Sequence, residues 1–293
     1  MKNSTKLIST LALAVGLSIG ASAAPVQITI QDNDSTLWGF NGAGSLTAGG
    51  TSGAGNFGTA HEDNETESGT ISGQQWDMEA FVVNGTQLSI VAGFDLLNGV
   101  QSHNIGPGDL FIKVGGSAPA FNPTNQGAGN VTNSLYSYTY AIDLSPATRF
   151  TNSSFGSSAQ VYGLSSTTVL NTTIYDQFGS NPWKYDNTLN TTLGFGTGIT
   201  YQTGLANNAA ALTALGLSLQ GGYHNLLTID LSFLSVPANT NVYFSYTMEC
   251  GNDSLKGRYS GGFDQVPDSG TSALLMGLGL SALAIVGIKR RRA

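Results

Sequence analysis

Cysteine, charge and cations are all scarce in this chain. Cys250 is the single cysteine, so no disulfide can form within the chain. Charged residues make up 10% of the 293 positions, against roughly 25% in an average soluble domain. The 11 Lys and Arg are outnumbered by 18 Asp and Glu, a balance that argues against a nucleic-acid binder. So few Glu and Lys also argue against a coiled coil or a charged helical bundle. Within residues 24–265 no Ser stands in G-x-S-x-G, and no H-E-x-x-H occurs anywhere. What fills the chain instead is 39 glycines together with Asn, Ser and Thr. Such a surface is polar without being charged, as is common outside the cell.

The two ends carry most of the cations. Lys2 and Lys6 flank the start of an apolar run, Leu7 to Ile19, and Ala21-Ser22-Ala23 follows it. Residues 1–23 therefore read as a secretory signal peptide, with Ala21 and Ala23 marking the A-x-A site for signal peptidase. At the other end stands Val266-Pro267-Asp268-Ser269-Gly270. Thr271 to Ile288 then gives 18 residues without a charge, followed by Lys289, Arg290, Arg291 and Arg292. Eighteen helical residues rise about 27 Å, enough for a bilayer core. The four cations would stop that helix on the cytoplasmic side. A single transmembrane helix over 271–288 is thus expected, holding a precursor in the inner membrane. With the termini set aside, residues 24–265 hold 5 basic and 17 acidic residues, a net −12. That charge favours solubility and repels anionic surfaces.

The order of Pro motif, apolar helix and terminal Arg cluster over 266–293 resembles the PEP-CTERM family of sorting signals. The spelling Val266-Pro267-Asp268-Ser269-Gly270 is similar to its VPDSG variant, with Asp-Ser-Gly where Glu-Pro is commoner. The resemblance implies processing by an exosortase, a polytopic membrane protease-transferase that cuts at the Pro motif. It also implies a mature form at the cell surface or outside the cell, with exopolysaccharide as the surrounding matrix and candidate partner. Four short segments resemble a sandwich domain that recurs upstream of such anchors: Trp76 to Ala80, Gly108 to Ile112, Asn181 to Tyr185 and Thr247 to Asp253. They imply a fold and a location, not an activity.

Between the ends, apolar residues recur with period two. Val26, Ile28 and Ile30 form one stripe; Leu88, Ile90, Ala92 and Phe94 form another. Tyr136, Tyr138, Tyr140 and Ile142 form a third, and Val242, Phe244, Tyr246 and Met248 a fourth, opposite Tyr243, Ser245 and Thr247. This pattern predicts half-buried antiparallel strands. Turns are expected at Asn84-Gly85, Asn98-Gly99 and Gly106-Pro107-Gly108. The fold class is all-β: an antiparallel β-sandwich ectodomain over 24–265. One helix is expected around Ala206 to Leu215 and a short turn around Leu231 to Leu234. Residues 42–70 read as a Gly-rich and acidic loop, with seven glycines between 42 and 58. Gly53-Ala54-Gly55-Asn56-Phe57-Gly58 matches G-x-G-x-x-G, but without a strand-to-helix unit it is a chance match.

Candidate chemistry is thin. Glu62, Asp63 and Glu65 could supply hard oxygen ligands to Ca²⁺, although a solvated acidic loop is the simpler reading. Asp77 and Glu79 share one strand face and read as an exposed polar face rather than a glycosidase pair. Trp38, Trp76 and Trp183 could stack on sugar rings or fill the core. His61, His103 and His224 all fall in or beside expected turns. Cys250 reads as a buried structural thiol. No cofactor is expected, and the chain is not read as an enzyme. The expected function is a structural or adhesive role in an exopolysaccharide-rich envelope; the alternative is a carbohydrate-binding module.

Overall fold

The structure is a computed structural model that describes residues 24–29, 74–119, 129–144, 150, 154–174, 181–190, 194–217, 219, 222–251 and 253–263. It is nearly all β. The strands in chain order are β1 (Val26–Gln27), β2 (Met78–Asn84), β3 (Gln87–Ala92), β4 (Leu110–Val114) and β5 (Asn130–Thr132). Then come β6 (Tyr140–Asp143), β7 (Ser158–Gly163), β8 (Val169–Asn171), β9 (Lys184–Tyr185) and β10 (Phe195–Leu205). The last are β11 (His224–Asp230), β12 (Val242–Thr247) and β13 (Ser254–Tyr259). One α-helix is described, α1 (Ala210–Ala214), inside the window expected for it. The expected turn at Leu231 to Leu234 is present, closed by the Leu234 N–H on the Leu231 carbonyl at 2.8 Å.

Ten strands form one antiparallel sheet in the order β1-β2-β3-β11-β10-β7-β6-β4-β12-β13. The sheet curls. β10 is its corner, because Phe195 to Gly198 pair with β7 while Ile199 onward pair with β11. The two ends of the sheet also meet. Thr29, just past β1, bridges to Gly257 of β13, and the Arg258 N–H donates to the Ile28 carbonyl at 3.1 Å. The all-β antiparallel expectation is thus met by one sheet wrapped round a single interior.

Period two explains that interior. Leu88, Ile90, Ala92 and Phe94 all face it, as do Val242, Phe244, Tyr246 and Met248. Phe81 and Phe244 meet across it with ring centroids 6.2 Å apart. Truncating a buried Phe of this kind typically costs about 3–5 kcal/mol.

Half-burial is where the expectation needs correcting, because several strands are covered on both faces. The outer faces of β2, β3 and β11 contribute Ala80, Val82, Val91 and Leu226 to a second cluster under α1 and the segment after it. A separate three-stranded sheet, β5-β8-β9, covers Phe111 and Ala141 on the outside of β4 and β6. Tyr243, Ser245 and Thr247, the supposed polar side of β12, are buried as well.

The tyrosine stripe is also broken. A 3₁₀ turn over Asn133–Leu135 and a positive φ at Ser137 interrupt it. Tyr136 and Tyr138 stack in the outer cluster at 5.8 Å, while Ile142 faces the interior. The turn at Asn84-Gly85 is a β2–β3 hairpin with Gly85 at φ 61°, a backbone shape glycine adopts freely. At Asn98-Gly99 the chain also turns, with Gly99 at φ 68° and a bridge from Val100 to Ile105. Gly106-Pro107-Gly108 is not a turn but an approach to β4. A Cβ on Gly108 would lie 2.0 Å from the Thr247 carbonyl oxygen and 2.6 Å from that of Trp183.

Among the described residues no helix is long and apolar enough to cross a membrane. The expected span over 271–288, the signal peptide and the Gly-rich and acidic loop lie outside the described residues.

Candidate functional site

The fold holds the chain firmly up to Phe263. That side chain is buried, its N–H donates to the Val236 carbonyl at 2.7 Å, and its ring packs on Tyr259 at 5.0 Å and Phe244 at 6.3 Å. Gly262 makes the last bend at φ 83°, and a Cβ there would lie 2.7 Å from the Ala238 nitrogen. Val266 is three residues further on. The sorting residues Val266, Pro267, Asp268, Ser269 and Gly270 lie outside the described residues. So do Lys289 to Arg292, Ala21, Ala23, Trp38, His61, Glu62, Asp63 and Glu65.

The other candidate residues are placed. Trp76 is buried in the interior cluster, edge-on to His103 at 5.1 Å, so it offers no face to a sugar. Trp183 is partly exposed, with the Lys184 ammonium 5.8 Å above its ring. It precedes β9, on a different element from Trp76. Cys250 is buried in the interior cluster, as the sequence leads one to expect.

Asp77 and Glu79 require correction, since both are buried rather than on an exposed face. A register shift between Met78 and Ala80 puts an irregularity in β2 at Glu79. His224, expected in or beside a turn, opens β11 and is fully buried. Its Nδ1 lies 2.6 and 2.8 Å from the two Glu79 oxygens. Its Nε2 faces Asn207 Oδ1 at 3.1 Å. That oxygen already accepts the Gly222 N–H at 2.9 Å, so Nε2 is the donor. One proton therefore sits between Nδ1 and the Glu79 carboxyl, and a second on Nε2. Gln74 Nε2 completes the cluster, donating to Glu79 Oε1 at 2.7 Å and to the Tyr223 carbonyl at 2.9 Å. Burial pushes the Glu79 carboxyl above its ordinary range, against the pull of His224 and Gln74.

Asp109 is a further buried carboxyl, one that residue spacing did not reveal. Its Oδ1 accepts the Leu144 N–H at 2.9 Å and its Oδ2 the Tyr185 N–H at 2.8 Å. Its own N–H donates to the Trp183 carbonyl at 2.7 Å. It thereby ties β4, the end of β6 and β9 together. Burial and the neighbouring Asp143 push its pKa up to about 8, with Lys184 and the two amides opposing. Asp253 performs a similar task, accepting the Met78 N–H at 2.7 Å and the Ser254 N–H at 2.7 Å. Lys256 is buried too, and its ammonium donates to Ser245 Oγ at 2.8 Å. Each of these groups is engaged in holding strands together. Among the described residues no group of three His, Cys, Asp or Glu could hold a metal ion. The flag in the sequence was available: Glu79 stands between Met78 and Ala80 ahead of Phe81-Val82-Val83, an apolar run on both strand faces.

The described body, an all-β scaffold whose buried polar groups brace its strands, ends just ahead of a sorting signal. Residues 265–292 match the family model of the VPDSG-CTERM motif, a variant of the PEP-CTERM-type signals. The chain is therefore a C-terminally sorted, exported protein, and the motif is consistent with processing by an exosortase-like system. No curated protein and no solved structure matches the chain.

Proposed function

We propose that the chain is a surface or extracellular-matrix protein with a structural role, delivered by cleavage at Val266–Gly270. The match over 265–292 carries the sorting part of this reading. The folded body supports the structural part. Among the described residues, the buried Asp109, Asp253 and Lys256 are spent on bonds that tie strands and their flanks together. A signal peptide over 1–23 would bring the chain to the export machinery, and residues 271–288 would hold the precursor in the membrane until cleavage. Pro267 fixes φ and lacks an N–H, which favours an extended segment that a protease can thread.

Mass spectrometry of the surface fraction tests the reading. The mature chain is expected to end between Val266 and Gly270. Pro267→Ala, or removal of Lys289 to Arg292, should make uncut precursor accumulate in the inner membrane. A surface form that still contains the Arg290-Arg291-Arg292 peptide would refute cleavage. The alternative of glycan binding rests on Trp183 alone among the described tryptophans, and a glycan array with a Trp183→Ala control tests it.

A further inference from the structure

The curled sheet is closed by a strand that arrives from far along the chain. Residues 26–29 lie in a seam between β2 and β13. On the β2 side, Val26 pairs with Val83 and Gln27 with Val82. The Ile28 N–H donates to the Phe81 carbonyl at 2.9 Å, and the Phe81 N–H donates to Thr29 Oγ1 at 2.9 Å. On the β13 side, the Ile28 carbonyl accepts the Arg258 N–H, and Thr29 bridges to Gly257. Ile28 is the anchor. It is buried while Val26 and Gln27 are exposed. The absence of a side chain at Gly257 makes its seat: a Cβ there would lie 2.9 Å from Phe81 Cδ2 and 3.2 Å from Ile28 Cδ1.

Take the segment away and the sheet has two raw edges. The Phe81 and Arg258 N–H groups lose their acceptors, and the Gly257 seat is opened to water. Unpaired edges of this kind recruit strands. The seam demands a segment with apolar residues at alternate positions and a short β-branched anchor, and Ala24-Pro25-Val26-Gln27-Ile28-Thr29-Ile30-Gln31 has that pattern. Nothing in the seam requires the segment to come from the same chain. Thr29 and Gln74 are separated by 44 residues, and a chain of that length can reach at most about 150 Å. That reach is ample for the seam of a neighbouring copy.

We propose that the β2–β13 seam is an assembly site that accepts residues 24–29 of a second copy of this chain. Exchange of an identical element needs no contact that the single copy lacks. It can close into a dimer or run on from copy to copy. The tether favours the chain's own segment when copies are dilute, and crowding favours the neighbour's. A surface layer built this way is held by strand addition, and the same seam serves the isolated and the assembled protein.

The test uses full chains in a Cys250→Ser background, refolded together while a short bifunctional thiol reagent is present so that thiols destined for burial react as the seam closes, with the unsubstituted background chain as the blank. A chain carrying both Val26→Cys and Val83→Cys reports the seam itself, because these positions are register partners. One chain with Val26→Cys mixed with another carrying Val83→Cys reports exchange. A mixture of Val26→Cys with Ser117→Cys, an exposed position outside the seam, reports collision. The expected result is a Val26–Val83 product between chains at least about tenfold above the collision control, rising with concentration, because a specific seat raises the effective concentration of the two thiols. Gly257→Val, which fills the seat, should abolish it, with tryptophan fluorescence checking that the body is folded. A Val26–Val83 product confined to single chains at every concentration overturns the proposal. So does cross-linking equal to the Ser117 control, or no product even in the doubly substituted chain.

Discussion

Replacing Asp109 should expose how the two sheets are joined. Asp109→Ala removes both acceptors from the Leu144 and Tyr185 amides, at residues that are themselves buried. A buried N–H left without a partner costs about 1–3 kcal/mol. Two of them put the loss at about 2–6 kcal/mol, less the relief of no longer burying a carboxyl. Asp109→Asn keeps one acceptor and turns an amide donor toward the other N–H, so it should lose about 1–3 kcal/mol. The pH dependence separates this from a simple packing defect. The folded-state pKa is pushed up to about 8 from 3.8. A folded chain that keeps a proton the unfolded chain has released is most favoured below the unfolded pKa and loses stability as pH rises. Stability should therefore fall between about pH 4 and 8 in the native protein, and this contribution to the slope should vanish in Asp109→Asn. Urea unfolding followed by tryptophan fluorescence at pH 5, 6, 7 and 8 measures both effects, and Trp183 sits on the backbone bond next to the change. A loss below about 1 kcal/mol for Asp109→Ala, or an unchanged pH slope in Asp109→Asn, would refute the reasoning.

Four other outcomes are expected. His224→Ala should destabilise by about 3–5 kcal/mol, because it strands the Glu79 carboxyl in the interior. Glu79→Met combined with His224→Phe should lose less than His224→Ala alone, and a thermal-melt double-mutant cycle measures the difference. Because burial raises the Glu79 pKa, its carboxyl opposes folding as pH climbs above 4.5, and Glu79→Gln should flatten that part of the stability profile. Phe263→Ala should cost about 3–5 kcal/mol in urea unfolding and make Tyr259 to Phe263 susceptible to carboxypeptidase in the processed form.

Much of the fold was legible, and most of the exceptions trace to contacts from distant segments. Alternation in Leu88 to Phe94 and Val242 to Met248 identified the inward faces correctly, because those side chains meet one continuous interior. It could not reveal what covers the opposite faces. That cover comes from distant segments: α1 lies over β2 and β3, and β5, β8 and β9 lie over β4 and β6. Ser245 reads as polar and outward on the same logic, yet it is buried, paired in register with the buried Lys256. Glu79 was missed because an irregularity in β2, invisible to a strict period of two, turns it toward His224. The short loop glycines were easier. Asn84-Gly85 signalled a hairpin through local chemistry alone, whereas Gly108 is glycine because the Thr247 and Trp183 backbones press on it. Of the candidate site, the sorting motif was legible as a linear string, since a peptide signal is read from sequence and not assembled from remote residues.

The Phe263 hook has a mechanical consequence. Any load drawn through the C-terminal end of the body meets that hook before it reaches β13. The ring is wedged against Tyr259 and Phe244, and the N–H of Phe263 itself donates to the Val236 carbonyl. Behind it, six residue pairs join β13 to β12. A tug on the tail is thus spread over a buried plug and a whole ladder of bonds instead of peeling them away singly from an open end. Forced opening is governed by the unfolding rate, and a plug at the point of entry slows its first step. For a protein whose C-terminal tail is also its sorting handle, a pull on that handle unravels the body more slowly than it would from an open end.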